Sequence, residues 1–159
     1  MQPLLDDDHA AFIQGGISII AAAGDAANMP SLVRAIGCKV STDRRRVTIF
    51  VVASSARRLL DDVKLSGRIA VVFSDPPTHR TIQLKGSDAE IVPVVASDRE
   101  AAAACADAMV AAVVRLGFAM PVVRAMLAFP ADALTAIAFT PTAAFVQTPG
   151  PRAGAPLKG

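Results

Sequence analysis

The chain has 159 residues, of which 53% are hydrophobic and 19% charged, and its formal net charge is +2. This length suits a single domain, and the small net charge does not by itself indicate a nucleic-acid partner. There is no Trp and no Tyr, which removes most of the aromatic platforms on which single-stranded nucleic acids stack. No apolar run reaches the roughly 18 residues of a spanning helix, so we also expect no membrane partner.

The cellular context follows from the cysteines and the first residues. Cys38 and Cys105 lack the paired spacing of a zinc site or a disulfide framework, so we expect no metal and two packed, reduced thiols. The acidic segment Met1–His9 lacks the basic-then-apolar pattern of a secretory signal. We therefore expect a cytoplasmic protein.

The first half of the chain has the character of β-strands. Gly16–Ala23 is rich in isoleucine and ends at a Gly-Asp turn signal, and Ser31–Ser41 alternates between two faces. Arg46–Ala53 consists almost entirely of strand formers. The turn between the last two segments predicts that they pair as one antiparallel hairpin.

A helix and two more strands follow. Leu59, Leu60 and Val63 recur at helical spacing, which predicts a helix capped by Ser54 or Ser55 at its start and by Gly67 at its end. The next strands are predicted at residues 68–74 and 79–92. Gly86, within the second of these, indicates a bulge or a close backbone approach.

The last third begins with a capping box at Ser97–Glu100, which opens a helix with a small-residue stripe that ends at Gly117. A short helix is predicted from Pro121 to Leu127, and a last strand at residues 133–145. Residues 147–159 are rich in Pro and Gly, which predicts a tail that is flexible or ordered only against a partner surface.

These elements predict a mainly β fold of the α+β type. Six antiparallel strands would close into a small barrel with peripheral helices. Residues 1–146 would form the domain and residues 147–159 its tail.

Arg34 is the first candidate for a binding residue. It shares a predicted strand face with Leu32, Ile36 and Cys38, and a guanidinium on an apolar face requires an anion. An ion pair with an Asp or Glu at the barrel rim is the alternative. Lys39 lies on the opposite face by simple alternation, although a twist at Gly37 could bring both cations to one rim.

Two hydroxyls and two guanidiniums gather at the start of the first predicted helix. Ser54, Ser55, Arg57 and Arg58 would surround the free N–H groups of its first turn. A helix N-terminus with such neighbours suits a phosphate. Ordinary capping with solvated arginines is the alternative.

Gln83 and Lys85 project from one face of the strand predicted at residues 79–92. Gln83 can both donate and accept hydrogen bonds, which suits the edge of a heterocycle, but a solvated polar face would show the same pattern. His79 has no evident carboxylate partner, so it is a weak candidate for a general base. We interpret Arg44–Arg46 as a solvated turn rather than a nucleic-acid patch.

Together these segments resemble the pyridoxamine 5′-phosphate oxidase-like superfamily of FMN-binding split β-barrels. The resemblance covers about residues 17–91. It is carried by the order and spacing of four pieces: residues 30–39 with Arg34 and Lys39, the strand and turn at residues 47–58, the strand at residues 68–73, and Gln83–Gly86.

The resemblance implies a homodimer with FMN bound in clefts at the subunit interface. It implies contacts to the FMN phosphate from Arg34, Ser54, Ser55, Arg57 and Arg58, with Lys39 nearby. Gln83 would contact the flavin ring, with Lys85 on the same face.

The chain departs from the pyridoxamine-phosphate oxidases themselves, because Asp75-Pro76-Pro77 stands where they carry a tryptophan and no Trp follows. We therefore expect an FMN-dependent oxidoreductase or reductase with another substrate, and we assign no side chain as acid or base. The substrate and the electron donor stay open. A non-catalytic module that binds flavin, deazaflavin or haem is the alternative.

Overall fold

The computed structural model describes residues 2–130 and 132–157, which form four helices and nine strands. None of these helices combines the length and the apolar character needed to cross a bilayer. The helices are α1 (Asp7–Ile13), α2 (Arg57–Ser66), α3 (Ala96–Val114) and α4 (Met120–Leu127). The strands are β1 (Ser18–Gly24), β2 (Pro30–Ala35), β3 (Gly37–Val40), β4 (Val47–Val52), β5 (Ile69–Ser74), β6 (Thr81–Gly86), β7 (Glu90–Val92), β8 (Leu134–Phe139) and β9 (Ala143–Val146).

The strands form two antiparallel sheets. The first sheet has the order β2-β1-β5-β6-β9, and the second sheet has the order β3-β4-β8-β7. The expectation of a mainly β protein with peripheral helices is confirmed, but the expectation of six strands in one barrel is corrected. Nine strands in two sheets are present in the described part of the chain.

The difference arises because three predicted strands are each divided between the two sheets. The segment predicted at residues 31–41 becomes β2 and β3, the one at 79–92 becomes β6 and β7, and the one at 133–145 becomes β8 and β9. The predicted hairpin is therefore only half correct. β3 pairs with β4, while β2 pairs with β1.

Glycines lie at two of these crossings between sheets. A Cβ on Gly37 would lie 2.7 Å from Cys105 Cβ, and a Cβ on Gly86 would lie 2.8 Å from Phe139 Cδ2 and 2.9 Å from the Thr140 carbonyl oxygen. Gly86 thus marks the close backbone approach that its position in the sequence predicted. At both sites the neighbouring element packs against bare backbone.

The core lies between the inner faces of the sheets. Phe73 and Phe139 are its largest fully buried side chains, while Phe50 is buried on the other side of the second sheet, in a smaller cluster with Ala102 of α3. Helix α2 adds Leu59 and Val63 to the buried set. Burial of such side chains stabilises the fold by about 1.5–3 kcal/mol each.

Helix α2 ends as predicted but begins later. Gly67 adopts the left-handed conformation (φ +63°) that a C-terminal cap requires. The N-terminal cap is Ala56, which has no side-chain hydrogen bond, rather than Ser54 or Ser55. Ser55 Oγ instead donates to the Val52 carbonyl oxygen at 3.1 Å.

Two of the three remaining helices were predicted from the sequence, and one was not. α3 and α4 occupy the predicted segments, although α3 begins at Ala96 and so includes Ser97, the predicted cap. The small residues of α3 pack closely on the connection between α1 and β1, because a Cβ on Gly16 would lie 2.6 Å from the Ala108 backbone. α1 was not predicted; Asp6 caps it by accepting from the His9 N–H at 2.7 Å.

The Pro/Gly-rich segment folds back on its own chain. Its last two residues, 158 and 159, lie outside the described part. Gly154 N–H donates to the Val146 carbonyl at 2.7 Å, and Leu157 N–H donates to the Ala144 carbonyl at 2.8 Å. The segment thereby covers the edge of β9, which would otherwise expose unpaired backbone groups. The expectation of a flexible or partner-ordered tail is corrected for residues 147–157.

Gly86→Ala tests the close packing at the crossing from β6 to β7. The added methyl meets Phe139 and the Thr140 carbonyl, so we expect a loss of about 1–3 kcal/mol in the free energy of unfolding, measured by denaturant titration. Gly24→Ala is the matched control, because its nearest neighbour is 3.8 Å away. Equal stability of the two variants would contradict the packing described.

Candidate functional site

Alternate side chains of the first sheet point away from the second sheet and form a face that we call the outer face. Residues in β1, β2 and β5 alternate between the buried core and this more exposed side. The outer face includes Ser18, Ile20, Ala22, Gly24, Pro30, Leu32, Arg34, Ala70, Val72, Ser74, Thr81, Gln83, Lys85, Ala143 and Phe145.

Strand register places Arg34 and Gln83 in one row across this face. Arg34 lies opposite Ile20, Ile20 opposite Val72, and Val72 opposite Gln83. Three strand spacings separate the two polar residues, or about 14 Å. Lys85 lies two residues further along the strand of Gln83, so the three predicted residues share one surface.

Arg34 has a different environment from the one predicted. Leu32, expected to be buried beside it, is 65% exposed, because the outward side of β2 is largely uncovered. The guanidinium donates from Nη1 to Ser18 Oγ at 2.8 Å. In the described part of the chain it has no carboxylate partner, so the alternative of a rim ion pair is not realised there.

The outer face carries cations but no carboxylate. The Lys85 ammonium lies 5.3 Å from the centre of the Phe145 ring and, among the described residues, forms no ion pair with an acid. By contrast, three arginines that lie elsewhere, Arg44, Arg80 and Arg124, each pair with an aspartate. The unpaired charges of the outer face therefore favour an anionic ligand.

One end of the outer face forms an open hollow of about 620 Å³ beside Lys85. Its walls include Arg68, whose Nη2 donates to Asn28 Oδ1 at 3.2 Å. Its floor is made of small residues, among them Ala22 and Ala70. Such a floor leaves room for a flat ring. Sequence reasoning missed Arg68, because it precedes β5 and reaches this hollow only through strand pairing.

The predicted phosphate cluster lies at the turn between β4 and α2. Ser54 and Arg57 line a shallow hollow of about 500 Å³ there. The first turn of α2 has no acidic residue and no side-chain cap, which leaves its N–H groups available to an anion. Arg58 lies 3.6 Å from Asp25, whereas Arg57 has no carboxylate partner within the described residues.

Arg34 and this turn line different hollows. Arg34 borders one between the outer face and the helices α3 and α4, while Ser54 and Arg57 border the one at the start of α2. No hydrogen bond or ion pair joins them in the described part of the chain. Their joint role in holding one phosphate therefore stays a prediction.

Lys39 lies in the second sheet and forms an ion pair with Asp98. Asp98 is only 2% exposed, and its other oxygen accepts from the Val95 N–H at 3.1 Å, at the start of α3. The pair joins β3 to α3 across 59 residues of sequence. The structure thus gives Lys39 a part in holding the fold, which its spacing from Arg34 did not indicate.

The remaining sequence candidates lie apart from the outer face. His79 is exposed in the turn before β6, with φ +60°. Cys38 and Cys105 are both buried, and no disulfide joins them. Burial raises the pKa of the Cys38 thiol well above its usual range, with the neighbouring Cys105 thiol adding to the effect.

Comparisons with known proteins give a result only at the level of structure. No family model matches the chain, and no curated protein matches it. HupZ of Group A Streptococcus is 16% identical over 94% of this chain and 99% of its own, with a TM-score of 0.56. A candidate pyridoxamine 5′-phosphate oxidase of Lactobacillus delbrueckii is 13% identical over 89% and 93%, with a TM-score of 0.54.

A third solved structure, an F420 reductase, is 12% identical over 88% of this chain and 98% of its own, with a TM-score of 0.54. The predicted resemblance is therefore confirmed at the level of the fold. The chain has the architecture of pyridoxamine 5′-phosphate oxidase-related proteins. At such low identities the likeness does not extend to substrate or activity.

Lys39→Met tests the structural role of the ion pair with Asp98. It leaves a buried carboxylate without its cation, so we expect the free energy of unfolding to fall by about 1–3 kcal/mol, measured without any cofactor. Lys64→Met is the matched control, because its pair with Asp61 is exposed on both sides. That variant should change stability by less than about 0.5 kcal/mol. Similar losses in both variants would refute the assignment.

Proposed function

We propose that the chain binds a flavin-type cofactor, FMN in the first instance, on the outer face and acts as a flavin-dependent oxidoreductase. The observation that supports the proposal is a half-exposed apolar sheet face with unpaired cations and no carboxylate, in a fold shared with pyridoxamine 5′-phosphate oxidase-related proteins. A flat, anionic molecule matches both properties of such a surface.

The charge of the outer face also bears on assembly. An exposed apolar face of this kind favours burial against a partner. Two copies that met directly through this face would bring the Arg34 and Lys85 cations of one copy towards those of the other, which costs free energy. A bound phosphate, with a charge of about −1.5 to −2, would offset that repulsion. We therefore propose a homodimer whose interface contains the cofactor.

Each predicted residue has a role in this proposal. Arg34 and Arg57 are the strongest candidates for the phosphate, because neither has a carboxylate partner in the described residues. Ser54, Ser55 and Arg58 would support them at the start of α2, while Lys39 would act through its pair with Asp98. Gln83 and Lys85 would lie at the flavin ring.

The flavin, once bound, would supply the electron transfer, and the protein would supply binding, orientation and local charge. Gln83 has the donor and acceptor groups for the edge of such a ring, and its Oε1 lies 3.5 Å from Gln147 Nε2. The side chains of Ala22, Ala70 and Val72 would exclude water from one side of the ring. The substrate is not pyridoxamine phosphate in this proposal, because the chain has no Trp.

A second candidate function is a deazaflavin-binding module without turnover of its own. The similarity to an F420 reductase over 88% of this chain supports a deazaflavin as an alternative cofactor. Haem is the remaining cofactor that the sequence reasoning left open. A visible spectrum of the purified protein separates the three, and anaerobic reduction by a pyridine nucleotide with reoxidation in air separates an enzyme from a module. We also propose a cytoplasmic site of action, where the buried thiols of Cys38 and Cys105 would stay reduced.

Arg34→Ala tests the phosphate contact. If Arg34 holds the phosphate, FMN affinity should fall by about 10- to 150-fold, which corresponds to about 1.5–3 kcal/mol for a charge-assisted hydrogen bond. Affinity is measured by the quenching of FMN fluorescence. Arg45→Ala, which removes the same charge at the turn between β3 and β4, should bind FMN like the parent protein.

Two results would count against this proposal. Unchanged affinity in a folded Arg34→Ala variant would remove Arg34 from the site. A colourless protein whose melting temperature does not respond to FMN would overturn flavin binding itself.

A further inference from the structure

Helices α3 and α4 enclose a hollow of about 370 Å³ against one end of the outer face. This volume is within the range of about 300–1,000 Å³ that small-molecule sites occupy. The helices and the connection between them contribute mainly large apolar side chains: Met109 and Val113 from α3, Phe118 from the connection, and Val122 and Met126 from α4.

These apolar side chains are left uncovered to an unusual degree. Phe118 is 59% exposed, Val122 is 57% exposed and Met126 is 72% exposed. A cluster of exposed apolar side chains around a concavity is typical of a ligand-binding groove. Two methionines in the lining also allow the walls to adapt to different ligand shapes.

The sheet end of the hollow is polar and positively charged. Arg34 lies there with the hydroxyls of Ser18 and Ser74, and no Asp or Glu is among the described residues that line the hollow. One guanidinium N–H of Arg34 is used by Ser18 Oγ, which leaves the other donors available. The hollow therefore combines an apolar wall with a single anion-binding end.

We propose that this hollow binds a small apolar organic acid, with its carboxylate on Arg34 and its hydrocarbon part against α3 and α4. The charge complementarity of Arg34 selects an anion, and the apolar lining selects a hydrophobic body. The inference goes beyond the proposed function, since it needs no flavin. The two sites share Arg34 and the neighbouring hydroxyls of Ser18 and Ser74 at one end of the outer face, so ligand binding is measured before any flavin is added.

Naphthoate and its neutral analogue naphthylmethanol form a suitable pair of probes. The chain has no Trp and no Tyr, so naphthyl fluorescence is read without protein background. We expect saturable binding of naphthoate to the 159-residue chain, at least about tenfold tighter than binding of naphthylmethanol, because one charge-assisted hydrogen bond contributes that much. Arg34→Gln should abolish the difference between the two probes.

Substitutions on α4 test whether the probe binds in the hollow. Val122→Glu puts a carboxylate into the hollow and should weaken naphthoate binding at least about tenfold. Met120→Glu is the matched control, since Met120 is 50% exposed on the same helix and does not line the hollow. It should bind naphthoate like the parent protein.

Three results would overturn this inference: no naphthoate binding up to about 1 mM, where a ligand of this size should bind, equal affinity for the neutral analogue, or equal effects of the two glutamates. These outcomes are independent of the flavin titration. Flavin binding without naphthoate binding would refute only the ligand site proposed in the hollow. Naphthoate binding without flavin binding would refute only the proposed function.

Discussion

Three segments of the chain leave one sheet and enter the other, and this sharing constrains the rest of the structure. The crossings run from β2 to β3, from β6 to β7 and from β8 to β9. Because each sheet takes strands from the same three segments, neither can form its pairing without positioning the other. Gly37 and Gly86 permit the close contacts at two of these crossings.

The same arrangement explains why the outer face is exposed. The inner faces of the sheets bury each other's side chains, and α3 packs against β3 of the second sheet. An antiparallel sheet can leave one side uncovered, and the outer sides of β2, β1, β5 and β6 are uncovered in this way. The residues between Arg34 and Lys85 on these strands are apolar or small. Such a face is apolar enough to favour burial, yet its like charges oppose contact with a second copy. An anion between two copies, as we propose, would resolve both.

Much of the architecture could be predicted from the sequence, because alternation and helical spacing are local. β1, β4, β5, α2, α3 and α4 lie where those patterns placed them, and Gly67 ends α2 as expected. The division of long strands could not be predicted, since alternation records which side of a strand is buried and not which sheet supplies its partner. α1 was missed because its seven residues are too few to show a clear period.

The candidate site shows the same division between local and distant information. Alternation placed Gln83 and Lys85 on one face correctly. It placed Arg34 beside a buried Leu32 wrongly, because burial of β2 depends on what covers the sheet. The pairing of Lys39 with Asp98 joins positions 59 residues apart, and no local pattern could reveal it.

Sedimentation equilibrium of the protein with and without FMN tests the central claim most directly, which is that the outer face holds an anionic cofactor between two copies. The account predicts that FMN binds with one molecule per chain and tightens dimerisation, because it offsets the repulsion of Arg34 and Lys85 across the interface. FMN bound to a protein that stays monomeric would contradict the account, as would a dimer whose affinity is the same with and without FMN.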